Sequence, residues 1–319
     1  MKVVFWGTCG SLPASFSTAC FRLRLEEIFQ YMKENRMEVG SGLSLLPSDL
    51  TTLGGTNTPC LELETDTESE YLLCDAGTGI RDFSQEYFRK KRSKAARFHL
   101  FLTHLHWDHI QGFPFFGPAY LAGNTIVIHG CHDDLEESFK KQMSSPCFPV
   151  PFRALQAKIV FDIRDPGEVF EACGYKIHAI RQNHPNVSFG YRFEKEGKLI
   201  VYSTDCEHVN EVEGGPFVDF FRNADVLIFD AMYSMAEAGI TKENWGHSHN
   251  LMGVELALQA GVKHLVLFHR DPAKTDEQLK KFLGDTVRYV DLYGEELGIA
   301  NSRQSHKVSL AHDGWGIEV

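Results

Sequence analysis

The sequence predicts an α/β fold, in which many short strands alternate with helices. Apolar runs of strand length recur along the chain, and segments of helical periodicity lie between them. His and Asp residues, which are common metal ligands, follow directly after several of the apolar runs. These patterns together indicate sheets whose strand ends carry a functional site.

The predicted strands are short apolar or alternating runs bounded by Gly, Pro and polar residues. In chain order they cover residues 3–6, 60–64, 71–75, 98–102, 125–129, 158–163, 176–180, 189–193, 199–203, 226–229 and 264–268. The predicted helices, in which apolar residues recur with helical spacing, cover residues 21–37, 133–143, 251–260 and 277–289.

A chain of 319 residues is long enough for one large domain or two small ones. The candidate metal ligands extend from His104 to His269, so a domain boundary between them would divide the site. We therefore expect one domain over residues 1–319, with residues 22–58 as an insertion or loop region near the site.

The composition restricts the partners and the compartment. A net charge of −11 disfavours large RNA as a substrate, whereas a small nucleotide fits because bound cations reverse the local field. Eight cysteines without a C-x-x-C pair indicate thiols in a reducing compartment. The N-terminal residues predict a first strand rather than a signal peptide, and no apolar run has membrane-spanning length. We expect a cytoplasmic protein with no membrane partner, for which a homodimer is one option.

The segment at residues 103–109 (THLHWDH) lies between two apolar runs. Side chains alternate in an extended segment, so His104 and His106 point the same way and can bind one metal ion. Asp108 and His109 follow where the chain is expected to turn into a helix, which lets them face a second ion. Burying such polar groups without partners costs roughly 2–7 kcal/mol for each neutral group, and a metal removes that cost. The flanking apolar runs disfavour the alternative, a His-rich surface loop.

Three further residues of metal-binding type follow later apolar runs: His184, Asp205 and His269. Each alone is a weak signal, because a single His or Asp after a strand is usually a turn or capping residue. Their order behind the first cluster, each after a strand, indicates one shared site.

The H-x-H-x-D-H motif at residues 104–109, followed by these three residues, resembles the metallo-β-lactamase superfamily. The resemblance extends over effectively the whole chain. It implies an αββα sandwich, in which two mixed sheets pack together, helices flank them, and metal ions bind at one edge. The loop at residues 7–11 (GTCGS) resembles the superfamily's opening loop, whose small residues let backbone amides approach the site.

The resemblance also implies two divalent ions per chain, because seven ligands exceed the four of a tetrahedral zinc. It assigns His104, His106 and His184 to the first ion, Asp108, His109 and His269 to the second, and Asp205 to a bridging position. Ions roughly 3.5–4 Å apart share a water and lower its pKa toward about 7, so that the hydroxide is the nucleophile. Such ligands suit Zn²⁺, Mn²⁺ or Fe²⁺, and we expect zinc.

The fourth ligand position distinguishes branches of the superfamily. Antibiotic-hydrolysing members commonly have Cys there, whereas this chain has Asp205, which resembles the phosphodiesterase, glyoxalase and lactonase branches. The adjacent Cys206 points the other way on an extended strand, which favours an inert thiol over a ligand.

Residues 226–233 (VLIFDAMY) and 245–249 (WGHSH) resemble segments of ribonuclease Z, while the chain as a whole looks closer to the small-molecule branch that includes cyclic phosphodiesterases. By this resemblance His247 is the general acid that protonates the departing oxygen, Asp230 orients its ring, and Asp108 is catalytic as well as a ligand. His249 is the competing candidate for the acid, and Ser248 is predicted to cap the helix that follows.

We therefore expect a dinuclear metal-dependent hydrolase that cleaves a phosphodiester of a small nucleotide or cyclic phosphate by attack of metal-bound hydroxide. The alternative is a lactone, thioester or carboxylic-ester hydrolase on the same metal centre. A metal-binding regulatory protein is a third class, disfavoured because all seven ligands and an acid candidate are present. We find no counterpart of the arm by which ribonuclease Z grips tRNA, which also disfavours large RNA.

Overall fold

The computed structural model describes residues 1–15, 17–38, 40, 42, 45–51, 54–90, 95–208 and 215–319. The strands are β1 (Lys2–Gly7), β2 (Cys60–Leu63), β3 (Glu70–Cys74), β4 (Arg97–Phe101), β5 (Thr125–Gly130), β6 (Lys158–Ile163), β7 (Val169–Ala172), β8 (Tyr175–Gln182), β9 (Ser188–Lys195), β10 (Lys198–Ser203), β11 (Val226–Asp230), β12 (His264–Phe268), β13 (Lys307–Leu310) and β14 (Gly316–Glu318). The helices are α1 (Thr18–Glu34), α2 (Ser48–Thr51), α3 (Gly79–Arg89), α4 (Trp107–Ile110), α5 (Leu135–Gln142), α6 (Pro216–Phe221), α7 (Met235–Thr241), α8 (Asn250–Gln259), α9 (Asp276–Glu296) and α10 (Ser302–Ser305).

The strands form two seven-stranded mixed sheets. The first has the order β14-β1-β2-β3-β4-β5-β6, and the second has the order β13-β12-β11-β10-β9-β8-β7. Strands β3 to β6 run parallel in the first sheet, and β10 to β13 run parallel in the second. Since parallel strands end at the same edge of a sheet, the loops after them collect there, which positions the site.

Apolar side chains from the facing sides of the two sheets form the central core. Phe101 of β4, for example, packs edge-on against Tyr191 and Phe193 of β9, with ring centroids 5.5 and 5.4 Å apart. Fully burying one such side chain contributes about 1.5–3 kcal/mol. Helix α3 covers the outer face of the first sheet, and α6, α8 and α9 cover that of the second. The predicted αββα sandwich is confirmed.

The predicted strands are all present, with ends within two residues of those observed. Strands β7, β13 and β14 were not predicted. They lie at or beside the sheet edges and are three or four residues long, so pairing with a neighbour defines them better than their own apolar pattern. Helix α3 was also missed, and α1 begins earlier than predicted because the Ser17 side chain caps it by accepting from the Cys20 amide at 3.2 Å.

The predicted insertion at residues 22–58 contains most of α1 and all of α2, while residues 39, 41, 43, 44, 52 and 53 lie outside the described residues. None of the eight cysteines, all of which the structure describes, forms a disulfide. Within the described ranges no helix is both long and apolar enough to cross a bilayer.

Candidate metal centre and catalytic site

The seven predicted metal ligands lie together at the edge where the strands of both sheets end. The first sheet contributes the turn after β4 together with α4, which carries Asp108 and His109. The second sheet contributes His184 after β8, Asp205 after β10 and His269 after β12. The two sheets therefore supply opposite walls of a single cluster.

One triplet of imidazoles consists of His104, His106 and His184, whose ligating nitrogens lie within 4.8 Å of one another. Nε2 of His184 is 3.0 Å from Nδ1 of His106. The other ring nitrogen of His184 donates to the carbonyl of Gly246 at 2.7 Å. This hydrogen bond leaves the lone pair of Nε2 directed at the other imidazoles, as metal ligation requires.

A second triplet consists of Asp108, His109 and His269. Nε2 of His269 lies 3.3 Å from both Oδ2 of Asp108 and Nε2 of His109. Asp205 lies between the triplets, with Oδ1 3.8 Å from His104 Nε2 and Oδ2 3.2 Å from His109 Nε2. The grouping of the side chains is thus the one that the family resemblance implies.

The donor set fits divalent cations. Within the described ranges, Nε2 of His104 is buried without a hydrogen-bond partner, and burial lowers the pKa of this residue well below its usual value, which keeps the ring neutral. Burial alone would raise the pKa of Asp205, yet His269 and His109 hold it well below the usual range. Burial lowers the pKa values of the three imidazoles of the first triplet, so they are in the neutral form that metals bind. Burial alone would also lower the pKa of His109, but Asp205 and Asp108 raise it well above its usual value, so metal binding there would release a proton.

Asp75 is a functional residue that the sequence analysis missed. Its carboxylate is fully buried and accepts from Nδ1 of His109 at 2.9 Å, and it also accepts from Thr103 and from the Tyr202 hydroxyl at 2.7 Å. A carboxylate behind a ligating histidine fixes the orientation of its ring. The available signal was position, because Asp75 directly follows β3 as the other site residues follow their strands.

The loop after β1 reaches the cluster through its backbone. The Ser11 amide donates to Oδ2 of Asp108 at 2.7 Å. A Cβ atom on Gly10 would lie 2.5 Å from Cε1 of His269, a distance at which no side chain fits. Only glycine therefore allows this loop and His269 to occupy their places.

Asp230 and His247 form a pair at the border of the cluster. Nδ1 of His247 donates to Oδ2 of Asp230 at 2.9 Å and lies 3.8 Å from Oδ1 of Asp205. Burial alone would lower the pKa of His247, but the carboxylate of Asp230 raises it to about 9. Its imidazole is stacked at 5.0 Å on the ring of His269. The pair can therefore hold a proton beside the proposed ligands.

His249 has a structural role, which separates it from His247. Its Nδ1 accepts from the amide of Met252 at 3.1 Å and so caps α8. The prediction that Ser248 caps this helix is wrong, because the residue directly before Asn250, where the helix begins, is His249. The Ser248 hydroxyl instead donates to the carbonyl of Cys206 at 2.7 Å.

Cys206 is fully buried, and its amide donates to Oδ2 of Asp230 at 3.3 Å. It belongs to none of the groups of side chains that could hold a metal among the described residues, whereas the preceding Asp205 belongs to two of them. The alternation of side chains from which an inert thiol was predicted does not hold here, because β10 ends at Ser203 and the left-handed φ of 54° at Asp205 breaks the alternation of an extended segment.

Comparison with known proteins identifies the family. A family model described as the beta-lactamase superfamily domain matches residues 70–270, which include all seven candidate ligands. The chain belongs to the beta-lactamase superfamily. The predicted resemblance and the predicted class, a metal-dependent hydrolase, are therefore confirmed, and divalent metal ions are the cofactors that this family implies.

Among curated relatives, the ribonuclease Z of Lacticaseibacillus casei (strain BL23) is 26% identical over an alignment of 255 residues, and the match covers 64% of this chain and 76% of the relative. Among solved structures, the short form of human tRNase Z has a TM-score of 0.59 at 22% identity and covers 100% of this chain and 99% of its own. A diphosphatase from the PhnP family has a TM-score of 0.61 at 17% identity, over 100% of this chain and 97% of its own. The two solved structures share the fold with this superfamily member.

The expectation that large RNA is disfavoured as a substrate is wrong, because the curated relatives found are ribonuclease Z enzymes. The argument from a net charge of −11 fails for a physical reason. Net charge sums over the whole surface, whereas a substrate responds to the field at the site, where bound cations are the largest local charges.

Proposed function

We propose that this superfamily member is a dinuclear metal-dependent phosphodiesterase in which His247 is the general acid. The observation that carries the proposal is the pair of His247 and Asp230 at the border of the ligand cluster. The rings of His184 and His269 lie 5.2 and 5.0 Å from that of His247, so a substrate held by the cluster also meets the acid.

The two triplets, with Asp205 between them, are the residues that would hold two ions, and zinc is the metal we expect. Bound there, the ions supply an activated water nucleophile and neutralise charge on the phosphodiester. Asp108, which accepts from the Ser11 amide, belongs to this set and is held in place by that bond.

The acid acts through its second ring nitrogen. Asp230 accepts the proton on Nδ1 of His247, and among the described residues Nε2 has no hydrogen-bond partner. Nε2 is therefore the atom that delivers a proton to the departing oxygen, while Asp230 stabilises the charged ring. A ribose or nucleoside alkoxide is a poor leaving group and needs this proton, whereas a lactone or thioester needs it less. The pair thus favours phosphodiester over ester hydrolysis.

The proposed substrate is a nucleotide phosphodiester, either in a small nucleotide such as a cyclic phosphate or within RNA. The names of the ribonuclease Z relatives support the second form. Assays on cyclic nucleotides and on a precursor tRNA distinguish the two. A cytoplasmic location stays a prediction.

The test compares two leaving groups in the variant His247→Ala. General acid catalysis typically contributes about 10²–10⁴-fold, so turnover of a nucleotide with an alkoxide leaving group should fall by that factor. Hydrolysis of bis(p-nitrophenyl) phosphate should fall much less, since p-nitrophenolate leaves without protonation. Asp230→Ala should show the same selectivity more weakly, because it acts through the imidazole.

His249→Ala is the matched control, since it removes a histidine two positions away that caps a helix. Metal content should stay unchanged in all three variants. Equal losses on both substrates would overturn the assignment of the acid and indicate a positioning role for His247. No loss in His247→Ala would leave the ester hydrolase as the better proposal.

A further inference from the structure

Two of the four tryptophans are unusually exposed, and both lie beside the metal centre. The exposed fractions of Trp107 and Trp245 are 69% and 55%. The other two are partly buried, Trp6 edge-on against Phe83 at 5.9 Å and Trp315 stacked on Phe5 at 5.3 Å. Single exposed apolar residues are common on protein surfaces, so position rather than exposure must decide whether these two matter.

Short contacts connect the two positions through the first triplet. Trp107 directly follows His106, whose Nδ1 is 3.0 Å from Nε2 of His184. The opposite nitrogen of His184 donates at 2.7 Å to the carbonyl of Gly246, which directly follows Trp245. Trp107 is therefore one residue from His106, and Trp245 is one residue from the carbonyl that accepts from His184. Both tryptophans lie close along the chain to this pair of proposed ligands.

A cation and a second aromatic ring extend this surface toward the acid. Nζ of Lys242 lies 3.7 Å from the ring centroid of Trp245 and 5.6 Å from that of Tyr233. The ring of Tyr233 in turn meets that of His247 edge-on at 5.8 Å. An aromatic strip that includes an ammonium group therefore runs from the surface to the proposed leaving-group acid.

We propose that Trp107 and Trp245 stack nucleobases of the substrate and that Lys242 contacts a neighbouring phosphate. The inference rests on the proposed phosphodiesterase function and narrows its substrate to nucleotides. An apolar partner protein would explain the indoles but not the ammonium group over one of them. Aromatic stacking binds any base because every base has a π-face, and a lysine beside it supplies the charge that a nucleotide backbone attracts.

The test uses two p-nitrophenyl esters with the same leaving group, thymidine 5′-(p-nitrophenyl phosphate) and methyl p-nitrophenyl phosphate. They differ by the nucleoside alone, so the ratio of their kcat/KM values reports on base recognition. In Trp107→Ala or Trp245→Ala this ratio should fall about 5- to 150-fold, mainly through KM of the nucleoside ester. The methyl ester should keep its rate in both variants.

Three further variants sharpen the result. Trp245→Phe should restore most of the ratio, because a smaller aromatic ring still stacks. Lys242→Ala should leave this ratio nearly unchanged, because neither ester carries a second phosphate. For the thymidine ester with an added 3′-phosphate it should lower kcat/KM and weaken the salt dependence, since a phosphate contact is screened. Leu292→Ala, which truncates a side chain 64% exposed on α9, is the control and should change nothing.

Equal losses on both esters would mean that the tryptophans support the metal site, and would overturn the proposal. A change in oligomeric state on gel filtration in the alanine variants would overturn it too, by assigning the surface to a second copy of the chain. If the wild type hydrolyses neither ester, the proposed phosphodiesterase function is wrong, and this outcome says nothing about whether the surface binds nucleotides. The affinity for thymidine 5′-monophosphate, measured by isothermal titration calorimetry and lower in the double alanine variant, still decides whether the surface binds nucleotides.

Discussion

Three residues of the site have a left-handed backbone, which residues other than glycine seldom adopt. The φ angles of Asp75, Asp205 and His269 are 60°, 54° and 58°. Such conformations cost of order 1–3 kcal/mol each and persist where the surroundings over-determine them. Here each one turns a side chain into the cluster just after a strand ends. Nine other non-glycine residues in the described ranges share this conformation, so it is not confined to the site, but at these three positions it helps to direct a site side chain.

Asp75→Asn tests whether the carboxylate behind His109 supports metal binding. The amide removes the charge that orients the imidazole, and its single oxygen cannot replace both Oδ1, which accepts from Thr103, and Oδ2, which accepts from Tyr202. Metal affinity, measured by competition with a chromophoric chelator, should fall about 10- to 100-fold. Asp162→Asn is the control. This aspartate likewise accepts from a histidine, His129, over a distance of 2.8 Å, but the pair does not belong to the site. Equal affinity in the two variants would contradict this role of Asp75.

Gly10→Ala tests the close approach of the first loop to the second triplet. The added methyl group would lie 2.5 Å from Cε1 of His269 and must displace the ring. We expect the variant to retain fewer metal equivalents by elemental analysis and to lose most turnover. Gly284→Ala in α9 is the control, since nothing lies within 4 Å of its Cβ position. Full metal content in Gly10→Ala would show that the ring moves without losing its ligand role.

At the scale of secondary structure, strand ends carry the ligands and a helix start carries the neighbouring histidines. Helix α8 begins at Asn250, so His249 and His247 lie just before it and point to different partners. The first caps the helix, and the second binds Asp230 at the end of β11. The structural histidine and the proposed acid are thus only two positions apart in the sequence.

His249→Ala should therefore affect stability and spare catalysis. Loss of a capping acceptor typically costs about 0.5–2 kcal/mol, which urea denaturation measures as a lower free energy of unfolding. His249→Asn should recover part of it, because asparagine is a favoured capping residue. A large loss of turnover in a folded His249→Ala protein would instead make this histidine the acid.

At the scale of the whole molecule, the metal centre connects the two sheets. The ligands at residues 104–109 come from the first sheet, and His184, Asp205 and His269 come from the second. The inner faces of both sheets also share one apolar core. These connections support our proposal that residues 1–319 form a single domain.

Removal of metal should accordingly destabilise the whole fold at once. A ligand that binds the native state alone adds about 2.7 kcal/mol at a concentration 100 times its Kd, so a chelator should lower Tm clearly. Calorimetry should show one transition with and without the chelator. Two separate transitions, with only one of them sensitive to metal, would contradict the single domain.

Much of the fold and most of the ligand set followed from the sequence. The central strands have strong apolar patterns because they are buried on both faces, and their ends were therefore predictable. The histidines and aspartates behind them stood out, since unpaired polar groups are costly in such places. The separate roles of His247 and His249 could not be predicted, because both precede the same helix.

What the sequence by itself determined is the local pattern: the buried strands, the motif at residues 104–109, and the isolated His and Asp residues at later strand ends. Only the tertiary structure decided which of these side chains meet. Asp75 supports His109 from 34 residues away, Gly10 packs on His269, and the exposed Trp107 and Trp245 flank one pair of histidines. The physical reason is that a buried strand or helix face requires apolar residues at regular spacing, which the sequence shows directly. Contacts between distant residues depend instead on how the two sheets pack.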